Sequence, residues 1–192
     1  MSLKQSELST LLDQYTSQLE KGLDALGYSD IGLFVSALHA CQDSGGVVYT
    51  CGNGGSAANA SHLAAHLNQA GIRSVCLTDN VPWVTATSND ADYGSIFSDY
   101  VQLVGNKDND LVFIISGSGN SFNVERLIIH GWSGLALLGM DGGRIKALID
   151  GHSDDSVRYI LVPVRDYGPI EDIHSSIIHM IYQTLMQGVL TK

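Results

Sequence analysis

His62 and His66 stand four residues apart on a stretch that reads as a helix from about Ala57. At 3.6 residues per turn that spacing puts both imidazoles on one face, one turn apart, so a single metal ion could take both. The same spacing also arises in partly buried pairs that hold nothing. Near the end of the chain a second helical stretch carries Glu171, His174 and His179. Glu171 and His174 share a face, and His179 lies about 80° round from Glu171, two turns on, so a common cleft is within reach of all three. His174 reads first as a polar residue on a mostly covered helix. His39, His130 and His152 have no partner of ligating type and read as structural or solvated.

Two glycine- and serine-rich turns supply a different chemistry. Cys51-Gly52-Asn53-Gly54-Gly55-Ser56 follows an apolar run and leads into the helix of His62 and His66. Glycines there let backbone N–H groups approach an anion, and the helix dipole adds positive potential. The device recurs at Ser116-Gly117-Ser118-Gly119-Asn120-Ser121, where hydroxyls can donate to phosphate oxygens without adding charge. Either turn alone is an ordinary strand-to-helix connection with a capping serine. Two in one chain point to a phosphate site. Gly52-x-Gly54 lacks the third glycine of the G-x-G-x-x-G pattern and no Lys follows the loop, so neither dinucleotide nor Walker pattern fits, and a small phosphate ester is expected rather than a nucleotide.

These groups must be positioned by a folded core. With 44% hydrophobic and 16% charged residues in 192, the composition is that of one globular domain over 1–192. Twenty acidic residues against ten basic ones give a formal charge of −10. Such a surface repels nucleic acid and anionic membranes, and a phosphate site on it must draw its positive potential from amides, helix ends or a metal. Cys41, Cys51 and Cys76 form neither a disulfide framework nor a thiolate knuckle. No apolar stretch has the length of a membrane span and no export signal opens the chain, so a cytoplasmic protein is expected.

Leu8, Leu11, Leu12, Tyr15, Leu19, Leu23 and Leu26 recur at helical spacing, and a second helix is predicted at Asp30 to Gln42. No strand precedes the first of these helices, so its stripe can cover another subunit as readily as its own sheet. From Gly46 five short apolar runs alternate with helical segments: Val47–Thr50, Ser74–Leu77, Leu111–Ile115, Leu135–Leu138 and Tyr159–Val162. Right-handed crossovers between such runs give an α/β, doubly wound, five-stranded parallel sheet buried on both faces, with ligands at the carboxyl ends of its strands.

The order and spacing of Cys51-Gly-Asn-Gly-Gly-Ser56, Asn89-Asp90, Ser116-x-Ser118-Gly-Asn-Ser121, Asp141-Gly-Gly143 and the stretch from Ile170 to His179 resemble the SIS phosphosugar isomerases, and within them the phosphoheptose isomerases. The resemblance spans nearly the whole chain. It implies a flavodoxin-like sandwich, a homotetramer with sites between subunits, and a phosphate held by Ser56, Ser116, Ser118 and Ser121 with Gly54. Asn53, Asn89 and Asp90 fall where the family contacts the sugar. It also implies a zinc ion on His62, His66, Glu171 and His179. His66 replaces a catalytic Glu of the family and Glu171 replaces a Gln, and both substitutes are good metal ligands.

Further departures are Gly117 for a hydroxyl residue, Gly168 for Asp, and a shortened Asn68-Gln69-Ala70-Gly71 that lacks a family Arg. Isomerisation of a ketose phosphate such as sedoheptulose 7-phosphate needs a base, an acid and a partner for the enediolate oxygen. The catalytic candidates are His66, Glu171 and His179, with a zinc-bound hydroxide as a further base; a zinc-held neutral imidazole has no lone pair to spare. The alternative is a non-catalytic SIS module of the replication-initiator-associating type, which shares Ser56-Ala-Ala-Asn-Ala60 and lacks the same Glu.

Overall fold

The computed structural model describes residues 5–153 and 155–190, with side chains to 187. Two helices, α1 (Gln5–Asp24) and α2 (Tyr28–Asp43), precede the sheet. The strands are β1 (Val48–Cys51), β2 (Ser74–Cys76), β3 (Leu111–Ser116), β4 (Gly134–Gly139) and β5 (Val157–Val162). Between them run α3 (Gly55–Gln69), α4 (Val81–Asp90), α5 (Ser98–Val104), α6 (Phe122–Ile129) and α7 (Gly143–Gly151), and α8 (Tyr167–Leu190) closes the chain. The sheet has the order β2-β1-β3-β4-β5 and every pairing is parallel, in agreement with the doubly wound sandwich expected from the five apolar runs.

The central strand β3 explains why those runs are nearly continuous. Val112 and Ile114 point to one side, against Phe97, Val101 and Leu127, while Phe113 and Ile115 point to the other, against Phe34, Leu63 and Ile173. All four are fully buried. Each contributes roughly 1.5–3 kcal/mol of burial, which a strand with one wet face could not collect on alternate residues.

The two terminal helices hold α8 in place. On α1, Tyr15 donates its hydroxyl to Asp172 at 2.6 Å and Gln18 bonds Asp166 and the backbone of Arg165 and Asp166. Leu19 and Leu26 pack on the core, but Leu8, Leu11 and Leu12 of the predicted stripe are 59%, 51% and 63% exposed in the single chain.

Helix α8 lays Ile170, Ile173, Ile177, Ile181 and Leu185 on the sheet. His174 lies on that same buried side and is wholly enclosed. Burial pushes it down to about 4, outweighing the Leu138 backbone, which acts the other way. In the unfolded chain an ordinary histidine takes up a proton near 6.5, so between about 6.5 and 4 the unfolded state binds a proton that the folded state refuses. Stability from this group is therefore complete above about pH 6.5 and is lost as the pH falls toward 4, on the order of 3 kcal/mol in all. Urea midpoints taken at pH 7.5 and 4.5 are expected to fall less in His174→Leu than in the native protein.

Candidate functional site

In the order β2-β1-β3-β4-β5 the chain leaves β1 toward one edge of the sheet and leaves β3 toward the other. The loops after two adjacent strands therefore diverge, and the crevice between them is where doubly wound folds bind ligands. Both glycine-serine turns sit there. The first connects Cys51 to α3, and the second connects Ser116 to α6. Together they enclose a cavity of about 310 Å³, walled by Asn53, Gly54, Gly55 and Ser56 on one side and by Ser116, Gly117, Ser118 and Ser121 on the other, with Tyr167 and Glu171 of α8 completing it. Larger hollows of about 590 and 510 Å³ lie at the amino ends of β3, β4 and β5 and carry no such turns.

The second cradle is held rigid by its neighbour. Gly119, at φ +64°, lies so close to the Asp141-Gly142-Gly143 turn that an added Cβ would sit 1.9 Å from the Gly142 carbonyl oxygen. Ile145 donates its backbone N–H to the Gly119 carbonyl, and Arg144 binds Asn120 through its backbone N–H and its guanidinium. The Ser116 hydroxyl accepts from the Gly119 N–H at 3.1 Å and the Ser118 hydroxyl from the Asn120 N–H at 3.3 Å. Among the described residues neither Lys nor Arg lines the cavity, so an anion there would be met by amides, hydroxyls and the N-termini of α3 and α6.

A second cluster lies between α3 and α8. His62, His66 and His179 each present a ring nitrogen, and the three lie within 4.8 Å of one another. Burial, then neighbouring His66 and His179, hold His62 below the ordinary histidine range, which keeps its lone pair available. Nδ1 of His66 lies 3.4 Å from the Gln69 side-chain oxygen, its ring stacks on Tyr182 at 4.2 Å, and its Nε2 is buried without a partner. With Nδ1 donating to Gln69, Nε2 is left as the acceptor an ion would use. This orphaned nitrogen and the three convergent imidazoles fit a transition metal or zinc well.

Glu171 is not in that group, a departure from the four-ligand set the sequence suggested. Its carboxylate instead occupies the space a side chain at residue 55 would fill, 2.1–2.4 Å from the Cβ position of Gly55, inside the cradle cavity. Helices α3 and α8 run side by side in the same direction, pairing Gly55 with Glu171 and His62 with His179. The eight residues from Glu171 to His179 are about 12 Å of helical rise, which separates carboxylate from imidazoles.

Asn89 and Asp90, which the resemblance put near the sugar, do not line this cavity in the single chain. They end α4, bond one another and are exposed, outside the cavity walls. Tyr93, three residues beyond Asp90, reaches the first cradle instead and donates to Asn53 at 2.7 Å. Tyr93, Tyr167 and Asn123 were not singled out in the sequence; the available signal was Asn123, a polar residue on the side of α6 that buries Val124 and Leu127.

A doubly wound sheet with two glycine-serine turns at its switch point and three convergent histidines on α3 and α8 has the design of a phosphate-ester-binding protein of the sugar-isomerase type. The chain belongs to the SIS domain family, whose model matches residues 12–133, and within that family to the phosphoheptose isomerases. It is 34% identical over 187 residues to a phosphoheptose isomerase of Geobacter sulfurreducens, covering 89% of this chain and 95% of that one. It is 37% identical over 152 residues to one from Laribacter hongkongensis, 74% and 75% of the two chains. The solved phosphoheptose isomerase of Neisseria gonorrhoeae superposes with a TM-score of 0.84 at 27% identity, over 95% of this chain and 98% of that one.

Proposed function

We propose that this protein is a metal-dependent aldose–ketose isomerase acting on sedoheptulose 7-phosphate. The observation that carries the reading is a crevice walled by two glycine-serine cradles and one carboxylate, Glu171, with three convergent histidines about two helical turns further along α3 and α8. The phosphate is bound by the amides and hydroxyls of Ser56, Ser116, Ser118 and Ser121. The sugar then extends along the groove between α3 and α8, whose side chains lean back toward the cradles. His62, His66 and His179 would hold zinc; when bound, the ion would supply Lewis-acid polarisation of a sugar oxygen.

Glu171 is the base in this reading. It takes the proton from C1 of the ketose as the C1–H pair forms the C1–C2 double bond and the carbonyl pair moves onto O2; O2 takes up a proton, O1 gives one up as its C=O forms, and the same carboxyl returns its proton to C2 to give the aldose. His66 and His179, once committed as ligands, have no lone pair left for that step. The exposed leucines of α1 support a homotetramer, in which these side chains would be covered by other copies. No helix among the described residues is long and apolar enough to cross a membrane, which is compatible with a cytoplasmic location.

Proton NMR in D₂O tests the reading. Zinc-loaded protein with sedoheptulose 7-phosphate is expected to exchange the hydrogen next to the carbonyl and to accumulate the aldose, and protein stripped of metal is expected to do neither. Tight binding of the sugar phosphate without any exchange, zinc present, would sink the isomerase and favour a non-catalytic SIS binding module.

A further inference from the structure

Asn123 is the second residue of α6, immediately beyond the second cradle, and is only 3% exposed. Its side-chain amide meets that of Asn53, in the first cradle, in a reciprocal pair: Asn53 Nδ2 donates to Asn123 Oδ1 at 2.9 Å, and Asn123 Nδ2 donates to Asn53 Oδ1 at 2.9 Å. The Tyr93 hydroxyl adds a third bond, to Asn53 Oδ1 at 2.7 Å. Arg126, one turn further along α6, holds the loop of Tyr93 through Asp92 at 3.3 Å and Ser95 at 2.7 Å. One short helix therefore fixes both partners of Asn53.

Counting donors and acceptors decides what Asn53 can offer a ligand. Its carbonyl oxygen has two acceptor positions, both filled by Asn123 and Tyr93. Its amide nitrogen has two hydrogens, of which Asn123 takes one. The single group left to face the cavity that Asn53 lines is an N–H. A side chain so held cannot rotate to present its oxygen to a sugar hydroxyl; it can only donate to an oxygen that accepts.

We infer that Asn123 and Tyr93 are positioning residues that lock Asn53 as a fixed hydrogen-bond donor to the oxygen on which negative charge develops during isomerisation. This deepens the isomerase reading and rests on it. A donor already aimed before the reaction begins costs no reorganisation as charge appears, so its benefit belongs to turnover more than to binding. The phosphate end of the ligand, held by the serines, should not sense the change.

The test compares kcat and KM for sedoheptulose 7-phosphate, with zinc present, in Asn53→Ala, Asn123→Ala, Tyr93→Phe and the double variants with Asn53→Ala. Affinity for inorganic phosphate is measured alongside. Asn123→Ala is expected to lower kcat about 10- to 100-fold, and Tyr93→Phe about 3- to 10-fold, with KM and phosphate affinity nearly unchanged. Adding either change to Asn53→Ala is expected to cost nothing more, because both act through the missing amide. Tyr93 is 53% exposed, so its phenylalanine variant keeps the inference testable if Asn123→Ala does not fold. Effects on kcat that multiply with that of Asn53→Ala, or effects confined to KM, would overturn the inference while leaving the isomerase intact. No turnover in the native protein would overturn the isomerase reading and this inference with it.

Discussion

Glu171→Gln is expected to lower turnover of sedoheptulose 7-phosphate about 10²- to 10⁴-fold while leaving affinity for the sugar phosphate within a few-fold of native. Glu171 is the one carboxylate among the residues that wall the cradle cavity, and Gln keeps its size and its place over Gly55 while removing the basic oxygen. The loss should appear in solvent exchange of the substrate hydrogen, since the first proton abstraction is the step removed.

The family resemblance of the sequence implies Gln at the position of Glu171 and Glu at that of His66, so the same substitution restores the implied residue at one position only. A double variant, His66→Glu with Glu171→Gln, is expected to recover part of the activity lost in Glu171→Gln alone, because a carboxylate again faces the groove. Equal turnover in Glu171→Gln and the native protein would remove Glu171 from the chemistry and leave a metal-bound hydroxide as the base.

Loss of any one of the three clustered histidines is expected to have an effect of similar size by a different route. His179 is exposed, so His179→Ala should fold. Losing an outer-shell partner of a metal ligand already lowers affinity about 10- to 100-fold, so deletion of a ligand is expected to lower zinc affinity by more than about 100-fold. Elemental analysis after dialysis against a weak chelator should find stoichiometric zinc in the native protein and little in the variant, with turnover falling in proportion. Phosphate binding should persist, because the cradles lie about two helical turns from the histidines. A variant that retains both zinc and activity would show that the trio is not the metal site. The two predictions separate cleanly: Glu171→Gln should keep its zinc, and His179→Ala should lose it.

Much of the architecture was readable in the chain. Runs such as Leu111–Ile115 are apolar at every position because both faces of a parallel sheet are covered, and that local pattern survives into β3 almost residue for residue. The two cradles were also legible, since a glycine-serine turn between a strand and a helix is a local event whose backbone requirements are written in consecutive residues. The pairing of His62 with His66 followed from helical periodicity alone.

Elsewhere the prediction and the structure part. Periodicity allowed Glu171, His174 and His179 into one cleft, but the depth at which α8 meets the sheet buries His174 completely and leaves the other two at different ends of a groove. The resemblance put Asn89 and Asp90 near the sugar; in the single chain they lie off the cradle cavity, and the loop that follows them brings Tyr93 onto Asn53.

The amino-acid sequence by itself determined the order of strands and helices along the chain, the two glycine-serine turns and the histidine pair, because each is specified by residues within a turn or two of one another. Only the tertiary structure decided that α3 and α8 lie side by side, joining His179 to the pair and putting Glu171 over Gly55, and that Asn123 reaches across to Asn53 seventy positions away. Contacts at that separation depend on how helices dock on a twisted sheet, and the relative depth and register of two packed helices are set by the whole core rather than by either segment.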